Sequence, residues 1–285
     1  MKFPINYKNG NYNVTILKDG TKIRTTKEDD FIPSRPETLD INISNYCENN
    51  CEYCYLDATT KGKHGNLNHN FLNTIPEFTE VAINYAKHPG LFEFLKRMKK
   101  QNVIVNITIN EIDLIKDWKD ILYYQQNELV YGIGVSVCIK DENTKWIVQN
   151  FDNVVAHTIF GITTLEDYYW ISESFDKVLV LGYKRKGRGR NIIPGNVFGI
   201  EEIYDLFKIV SFDNLGIEQT NIKDKVSEQE WEQSFMGEEG TASFFIDTVE
   251  EKFYKSSLEE DGEDINNLSV IEIFNNIKNK KEIVL

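Results

Sequence analysis

Three cysteines, Cys47, Cys51 and Cys54, lie within eight residues of the sequence, shortly after the apolar run at residues 39–43. A tight loop at this spacing lets three thiolates point toward one metal centre, and cysteine thiolate is the usual ligand of iron–sulfur clusters. A four-iron cluster held by three cysteines keeps one iron free to bind a ligand that is not protein. The spacing therefore predicts a [4Fe-4S] cluster with one open coordination position.

The same three thiols also fit a second hypothesis, a structural zinc site completed by His64 or His69. Zinc sites usually combine two Cys-x2-Cys pairs, and the sequence holds one such pair. The fourth cysteine, Cys138, lies in an apolar run and is expected to pack as a buried apolar residue. Four cysteines distributed in this way form a poor disulfide framework and a suitable ligand set for a reducing compartment.

The charge of the chain is acidic but uneven. Asp and Glu residues number 45 and Lys and Arg residues 32, which gives a net charge of −13 and argues against general nucleic-acid binding. Residues 184–190 nevertheless carry five positive charges. This basic turn is either a solvated turn or a local anion site in which Lys184, Arg185 or Arg188 pairs with a carboxylate or a phosphate.

The sequence gives no indication of a membrane protein. Nothing near either end has the pattern of a signal peptide, and no apolar run approaches the roughly 20 residues that a membrane-spanning helix needs. We therefore expect a cytoplasmic protein without a membrane partner. A reduced cytosol would also suit an oxygen-sensitive cluster.

The elements that must position the cysteines follow a regular order along the chain. Residues 11–26 alternate around Asp19-Gly20 and predict a β-hairpin. Beyond an extended link, apolar or β-branched runs predict strands near residues 38–43, 79–84, 103–109, 129–138, 153–160, 177–182, 207–212 and 242–247. Amphipathic patterns between several of these runs predict helices near residues 89–98, 111–125 and 164–175.

Strands that alternate with helices favour right-handed β-α-β crossovers and a parallel sheet. Six to eight such units predict an α/β fold, a partial or complete parallel (β/α)6–8 barrel of the TIM type with an N-terminal β-hairpin extension. Ligands of such barrels bind at the carboxyl ends of the strands, and the cysteine loop leaves the carboxyl end of the first core strand. We expect three parts: 1–37, the hairpin and linker; 38–258, the barrel; and 259–285, an acidic loop and a C-terminal helix.

The Cys-x3-Cys-x2-Cys spacing, with an aromatic residue just before the last cysteine, resembles the signature of the radical S-adenosylmethionine (SAM) enzymes. Residues 106–110 resemble the third-strand Asn-x-Thr-x-Asn of that family, and residues 156–161 resemble its fifth-strand Ile-x-Gly. Further stretches, at residues 62–65, 181–184, 211–214 and 236–240, resemble a subgroup found in phages and Firmicutes for which we know no assigned substrate. The resemblance spans about residues 38–258.

The resemblance implies roles for particular residues. Cys47, Cys51 and Cys54 would ligate the cluster, and SAM would be lined by Tyr53, Asn84, Tyr85, Ala86, Asn110, Ser136, Ile159, Gly161 and Lys184. The second-strand stretch lacks the family's Gly-Gly-Glu, so backbone carbonyls at residues 84–86 would hold the amino group of SAM. Candidate substrate-facing residues are His64, Arg185, Arg188, Glu218 and Asp247, whereas His88 and His157 are expected to be hydrogen-bonded barrel residues.

The function implied by the resemblance is reductive cleavage of SAM to a 5′-deoxyadenosyl radical, which then abstracts a hydrogen atom from the substrate. A flavodoxin- or ferredoxin-type protein would supply the electron. The basic turn favours a small molecule or nucleotide that carries an anion, and a peptide substrate stays open. Two other hypotheses also stay open: an iron–sulfur barrel that no longer cleaves SAM, and a zinc-stabilised binding protein.

Overall fold

A ten-stranded, mostly parallel sheet forms the centre of the computed structural model, which describes residues 2–195, 198–235 and 237–283. Met236 of the stretch 236–240, and the last two residues of the segment 259–285, lie outside the described residues. The strands are β1 (Ile5–Asn9), β2 (Tyr12–Ile16), β3 (Lys22–Thr25), β4 (Thr38–Asn42), β5 (Glu80–Asn84), β6 (Ile104–Asn110), β7 (Gly132–Ser136), β8 (Val154–Ile159), β9 (Lys177–Leu181), β10 (Ile209–Phe212), β11 (Ser243–Asp247), β12 (Lys252–Tyr254) and β13 (Glu263–Asp264).

Helical segments connect most of the parallel strands. The α-helices are α1 (Leu91–Lys100), α2 (Glu111–Gln126), α3 (Glu142–Val148), α4 (Leu165–Ser172), α5 (Asn214–Thr220), α6 (Glu228–Ser234) and α7 (Val270–Ile283). The helices predicted near 89–98, 111–125 and 164–175 correspond to α1, α2 and α4. Thr164 and Asp167 form a reciprocal capping box at the start of α4, which satisfies backbone N–H groups that the first turn leaves without partners. None of the described helices is long and apolar enough to cross a membrane.

The strand order across the large sheet is β10-β9-β8-β7-β6-β5-β4-β11-β12-β13. The eight strands from β10 to β11 pair in parallel, and β12 and β13 continue the sheet in antiparallel pairing. The predicted α/β fold with a parallel sheet is confirmed. Closure into a complete barrel is not seen in the described residues, because β11 takes β12 as its second neighbour and leaves β10 at the edge.

The two faces of the sheet differ sharply in polarity. Side chains alternate between the faces of a strand, and one alternate set packs under the helices in the main core: Leu39, Ile41, Val81, Ile83, Val105, Ile107, Ile133, Val135, Val178 and Val180. The other set carries Asp40, Asn42, Asn84, Asn106, Thr108, Asn110, Ser136 and His157. A parallel sheet is usually apolar on both faces, so this polar face is a candidate surface for ligand binding.

A separate three-stranded antiparallel sheet, β1-β2-β3, covers the amino ends of the parallel strands. The hairpin predicted around Asp19-Gly20 is formed by β2 and β3, and β1 adds a strand that the sequence pattern did not predict. Ile5, Tyr12, Val14 and Ile16 pack against Ile104 at the start of β6. The small sheet therefore covers one end of the large one and leaves the carboxyl ends of the parallel strands to the loops that follow them.

Candidate functional site

The cysteine loop follows β4 at the carboxyl edge of the parallel sheet, where the strand pattern predicted it. Backbone hydrogen bonds fold this loop back on itself: the Cys47 N–H donates to Thr59 O over 3.0 Å, and the Cys54 N–H donates to Cys51 O over 3.2 Å. A short backbone bridge also joins Tyr46 to Thr59. All three thiols are therefore presented by one compact loop.

The three thiols are free and partly exposed, as is Cys138. Burial, and then the neighbouring thiols of Cys54 and Cys47, raise the pKa of Cys51. Two donors point at sulfur, since the Asn49 N–H lies 3.4 Å from Cys47 Sγ and Asn110 Nδ2 lies 3.8 Å from Cys51 Sγ. Three adjacent thiols with hydrogen bonds to sulfur fit a thiolate-ligated cluster in donor chemistry.

In the described part of the chain, no group of three or more His, Cys, Asp or Glu side chains stands close enough together to hold a metal ion. Binding of a cluster would therefore require the three thiols to turn further toward one another. The histidines proposed to complete a zinc site are both engaged elsewhere. His64 Nδ1 lies 2.9 Å from Ser44 Oγ, and His69 Nδ1 accepts the Phe71 N–H over 3.3 Å.

Asn110 connects the cysteine loop to the end of the neighbouring strand. Its side-chain oxygen accepts the Cys138 thiol over 3.4 Å and the Ile112 N–H over 2.9 Å, so that it also caps α2. Burial, followed by the charge of Glu111, raises the pKa of Cys138 to about 11. Cys138 was predicted to be a buried packing residue; the structure places it half-buried, one side chain away from Cys51.

The end of the second parallel strand lies against the cysteine loop. The side chain of Asn84 accepts the Ile43 N–H over 2.8 Å and donates to Ser44 O over 2.9 Å, so it holds the start of that loop. Tyr85 and Ala86 line a small cavity together with Cys47. Of the predicted SAM-lining residues in this stretch, Asn84 has internal partners, and Tyr85 and Ala86 border the cysteines.

Three predicted or suspected site residues lie side by side on the polar face of the sheet. Asn110 pairs in register with Ser136, and Ser136 pairs with His157. His157 Nδ1 is buried without a hydrogen-bond partner among the described residues, and burial lowers its pKa to about 4, so the ring is neutral at physiological pH. The expectation that His157 would be a hydrogen-bonded barrel residue is therefore not met at this nitrogen.

Tyr53 and Gly161 lie in two loops, which follow β4 and β8. Burial, together with the nearby thiols of Cys51, Cys138 and Cys54, raises the pKa of Tyr53 well above its ordinary value. Gly161, two residues after Ile159, adopts a φ of +81°, and a Cβ there would lie 2.5 Å from Pro194 Cβ. Only glycine fits that close approach.

The basic turn at 184–190 is engaged by the protein itself. Lys184 Nζ donates to Ser257 Oγ over 2.7 Å and lies 4.3 Å from the centre of the Tyr55 ring. Arg188 donates to backbone oxygens of the cysteine loop. Arg185 is exposed to solvent.

The remaining candidate substrate residues are spread around the same edge. His64 packs against His88, with 4.9 Å between ring centres. His88 itself, predicted to be a hydrogen-bonded residue, has its Nε2 2.9 Å from Gly65 O. Asp247 is buried, where it accepts Asn42 Nδ2 over 3.0 Å, and Glu218 is exposed on α5. The structure therefore gathers the cysteines, Asn110, Ser136 and Tyr53, and leaves Glu218 at the surface.

Sequence reasoning missed two acids on this side of the molecule. Asp40 lies at the centre of β4 on the polar face. Burial raises its pKa, with the Lys184 charge acting in the opposite direction, yet its side chain is accessible to solvent. A carboxyl group on the wall of an open space is surrounded by many protein atoms, which raises its pKa, and still contacts solvent. Burial also raises the pKa of Glu239 to about 7. The charged residue within the apolar alternation of β4 was the available signal for Asp40.

Comparison of the chain with protein-family models, with curated proteins and with solved structures found no match in any of the three.

Proposed function

We propose that this protein is an iron–sulfur enzyme of the radical SAM type, in which Cys47, Cys51 and Cys54 hold a [4Fe-4S] cluster. The observation that carries the proposal is the position of the three-thiol loop. It follows the first parallel strand and borders the polar row of Asn110, Ser136 and His157. With a cluster bound, the chemistry supplied would be reductive cleavage of SAM and abstraction of a substrate hydrogen atom by the resulting radical.

The proposed fold is a barrel of eight parallel strands that is open at one seam. Strands β4 to β10 are consecutive neighbours, and the eighth parallel strand, β11, pairs with the first, β4, as it would in a closed barrel. The seam lies between β10 and β11. An open barrel would admit a substrate from the side while its polar interior face remained lined by the strands.

The chain's own residues would contribute positioning and exclusion of water. Tyr85 and Ala86 beside Cys47 would contact the methionine part of SAM, whose amino group would be held by the carbonyls at residues 84–86. Ser136, and the Ile159–Gly161 stretch at the carboxyl end of β8, would contact the ribose and adenine. His157, which is half-buried and pairs in register with Ser136, would border the same ligand.

The substrate is proposed to be a small molecule or nucleotide that carries an anion. Arg185 supports this proposal because it is an exposed cation of the basic turn, whereas Lys184 and Arg188 have internal partners and Arg190 pairs with Glu260. The electron donor would be a flavodoxin- or ferredoxin-type protein.

Anaerobic reconstitution with iron and sulfide tests the proposal. We expect about four irons per chain, and release of 5′-deoxyadenosine when SAM and dithionite are added. Zinc in place of iron would support the zinc-stabilised binding protein. A cluster that forms without any cleavage of SAM would support the degenerate iron–sulfur barrel and would refute the enzyme.

A further inference from the structure

The basic turn and the cysteine loop are in direct contact, although they are far apart in the sequence. The Arg188 N–H donates to Cys54 O over 3.1 Å. Gly187 makes the approach possible: its φ is +57°, and a Cβ there would lie 2.6 Å from Cys54 O and 2.7 Å from Tyr55 O. A side chain at position 187 would therefore push the turn away from the loop.

The guanidinium of Arg188 spans the cysteine loop. Its Nε donates to Cys51 O over 2.9 Å, and its Nη1 donates to Ala58 O over 3.0 Å. The Asp57 carboxylate lies 3.9 Å from the same Nη1. Arginine suits this place because its planar fork offers several donors in a fixed geometry, whereas lysine offers a single point charge. The carbonyl oxygens that accept these two hydrogen bonds, those of Cys51 and Ala58, belong to residues on either side of Cys54 in the sequence.

The turn itself is anchored from the opposite side. The Tyr183 hydroxyl donates to Gly189 O, and the Tyr183 N–H donates to Gln219 Oε1 over 2.7 Å. Arg188 therefore connects the cysteine loop, through the turn and Tyr183, to the segment after β9 and to α5.

We propose that Arg188 is a positioning residue for the cysteine loop, one that fixes the backbone on both sides of Cys54 and places a positive charge beside the proposed cluster. The inference rests on the proposed function for its cluster, but the contact that it describes exists without one. Three thiolates give the site a negative charge, which grows on reduction. A fixed positive charge nearby stabilises the reduced form and raises the reduction potential.

Two variants separate the two roles of Arg188. Arg188→Ala removes both the fork and the charge. We expect amide hydrogen exchange in residues 51–58 to become about tenfold faster, which corresponds to loss of one or two hydrogen bonds. We also expect faster loss of iron to a chelator and a lower reduction potential. Arg188→Lys keeps the charge alone, so the potential should return toward that of the native protein while exchange stays fast.

Arg190→Ala is the matched control, because Arg190 pairs with Glu260 at the exposed surface. It should leave exchange, iron retention and potential unchanged. Added guanidinium ion should slow exchange in Arg188→Ala and leave Arg190→Ala unaffected. If Arg188→Ala does not fold, Arg188→Lys carries the exchange test.

The proposal is overturned if Arg188→Ala, or Arg188→Lys where Arg188→Ala does not fold, matches Arg190→Ala in exchange of residues 51–58. It is equally overturned if the potential does not depend on the charge at 188. Should the native protein take up no iron, the proposed function fails, and the exchange comparison still decides whether Arg188 positions the loop.

Discussion

At the amino ends of the parallel strands, the carboxylate of Glu37 is 1% exposed and accepts hydrogen bonds from Arg24 and Tyr12. At the carboxyl ends, the thiols of Cys47, Cys51 and Cys54 are partly exposed. At the amino ends the buried carboxylate is paired with groups of the protein itself. At the carboxyl ends the thiol sulfurs remain accessible to a ligand. Tyr7 is an exception at the closed end, because its buried hydroxyl has no partner among the described residues.

This difference separates a region whose polar groups are paired within the protein from a region that could bind a ligand, as the proposed function requires. A buried charge is tolerated when its lone pairs are filled and its counter-charges are close. Side chains with spare donor or acceptor capacity are costly in a core and useful in a site. Changes at the amino end should therefore alter the free energy of unfolding, and changes at the carboxyl end should alter cluster binding first.

The largest effect is expected for Cys51→Ala. Loss of one of three thiolate ligands should abolish retention of the cluster, measured as iron per chain after anaerobic reconstitution and desalting. Because the thiol is only partly buried, the free energy of unfolding of the metal-free protein should change by less than about 1 kcal/mol. Cys138→Ala is the control and should keep its iron. Equal iron content in the two variants would contradict the ligand assignment.

Glu37→Gln should cause the largest loss of stability, at about 3–5 kcal/mol, because it leaves Arg24 without its buried counter-charge and removes one of the two carboxylates beside Lys22. Urea unfolding of the metal-free protein measures this loss. Iron per folded chain should stay the same. A loss of iron without a loss of stability would contradict the expectation that the amino ends determine stability and the carboxyl ends determine cluster binding.

The same carboxylate gives the amino end a pH dependence. Burial raises the pKa of Glu37, but the hydrogen bond from Arg24, the charges of Lys22 and Arg24, and the hydrogen bond from Tyr12 outweigh burial and bring that pKa below its usual value. A depressed folded-state pKa stabilises the protein above the unfolded-state pKa, about 4.3 for Glu. This contribution should be lost as the pH falls through the folded-state pKa. Glu37→Gln should unfold with a weaker pH dependence below pH ~4.3.

Glu111→Gln tests whether the carboxyl end also holds a structural carboxylate. Glu111 is fully buried and accepts the Cys138, Ile139, Lys140 and Asp141 N–H groups and the Thr144 hydroxyl. An amide nitrogen would face some of these donors, so we expect a loss of about 1.5–3 kcal/mol in the free energy of unfolding. A larger loss in the free energy of unfolding than for Glu37→Gln would show that the carboxyl ends, and not the amino ends, hold the carboxylate that matters most for stability.

Tyr131→Phe should have the smallest effect. The Tyr131 hydroxyl donates to Leu17 O and Lys18 O, 2.9 and 2.8 Å away, at the contact between the small sheet and the large one. Its removal should lower the free energy of unfolding by about 1 kcal/mol. Iron content and SAM cleavage should not change. A change in either would show that the contact between the two sheets affects the cysteine loop.

Local patterns in the sequence were sufficient for several features. The turn dipeptide Asp19-Gly20 and the alternation around it predicted the β2–β3 hairpin, because both are properties of neighbouring residues. Runs of apolar residues separated by amphipathic stretches predicted the parallel strands and their order from β4 to β10. The position of the cysteine loop at the carboxyl edge followed from the same order.

Other features depend on contacts between distant residues, and no local pattern encodes them. The pairing of β12 with β11 leaves the described sheet open where a complete barrel was one expectation. Asp40 on the polar face and the saturated Glu37 pocket also became visible only when the strands were side by side.

The cysteines and the basic turn show most clearly which features the sequence alone determines and which depend on the tertiary structure. Residue type and spacing alone made Cys47, Cys51 and Cys54 a candidate ligand set, because three thiols in one short loop are near one another in any fold. Residue type alone gave Arg188 a charge but no partner, and an external anion was the natural expectation. The chain's folding brought Arg188 to Cys51 O across 137 residues of sequence, since a hydrogen bond of this range is decided by tertiary packing.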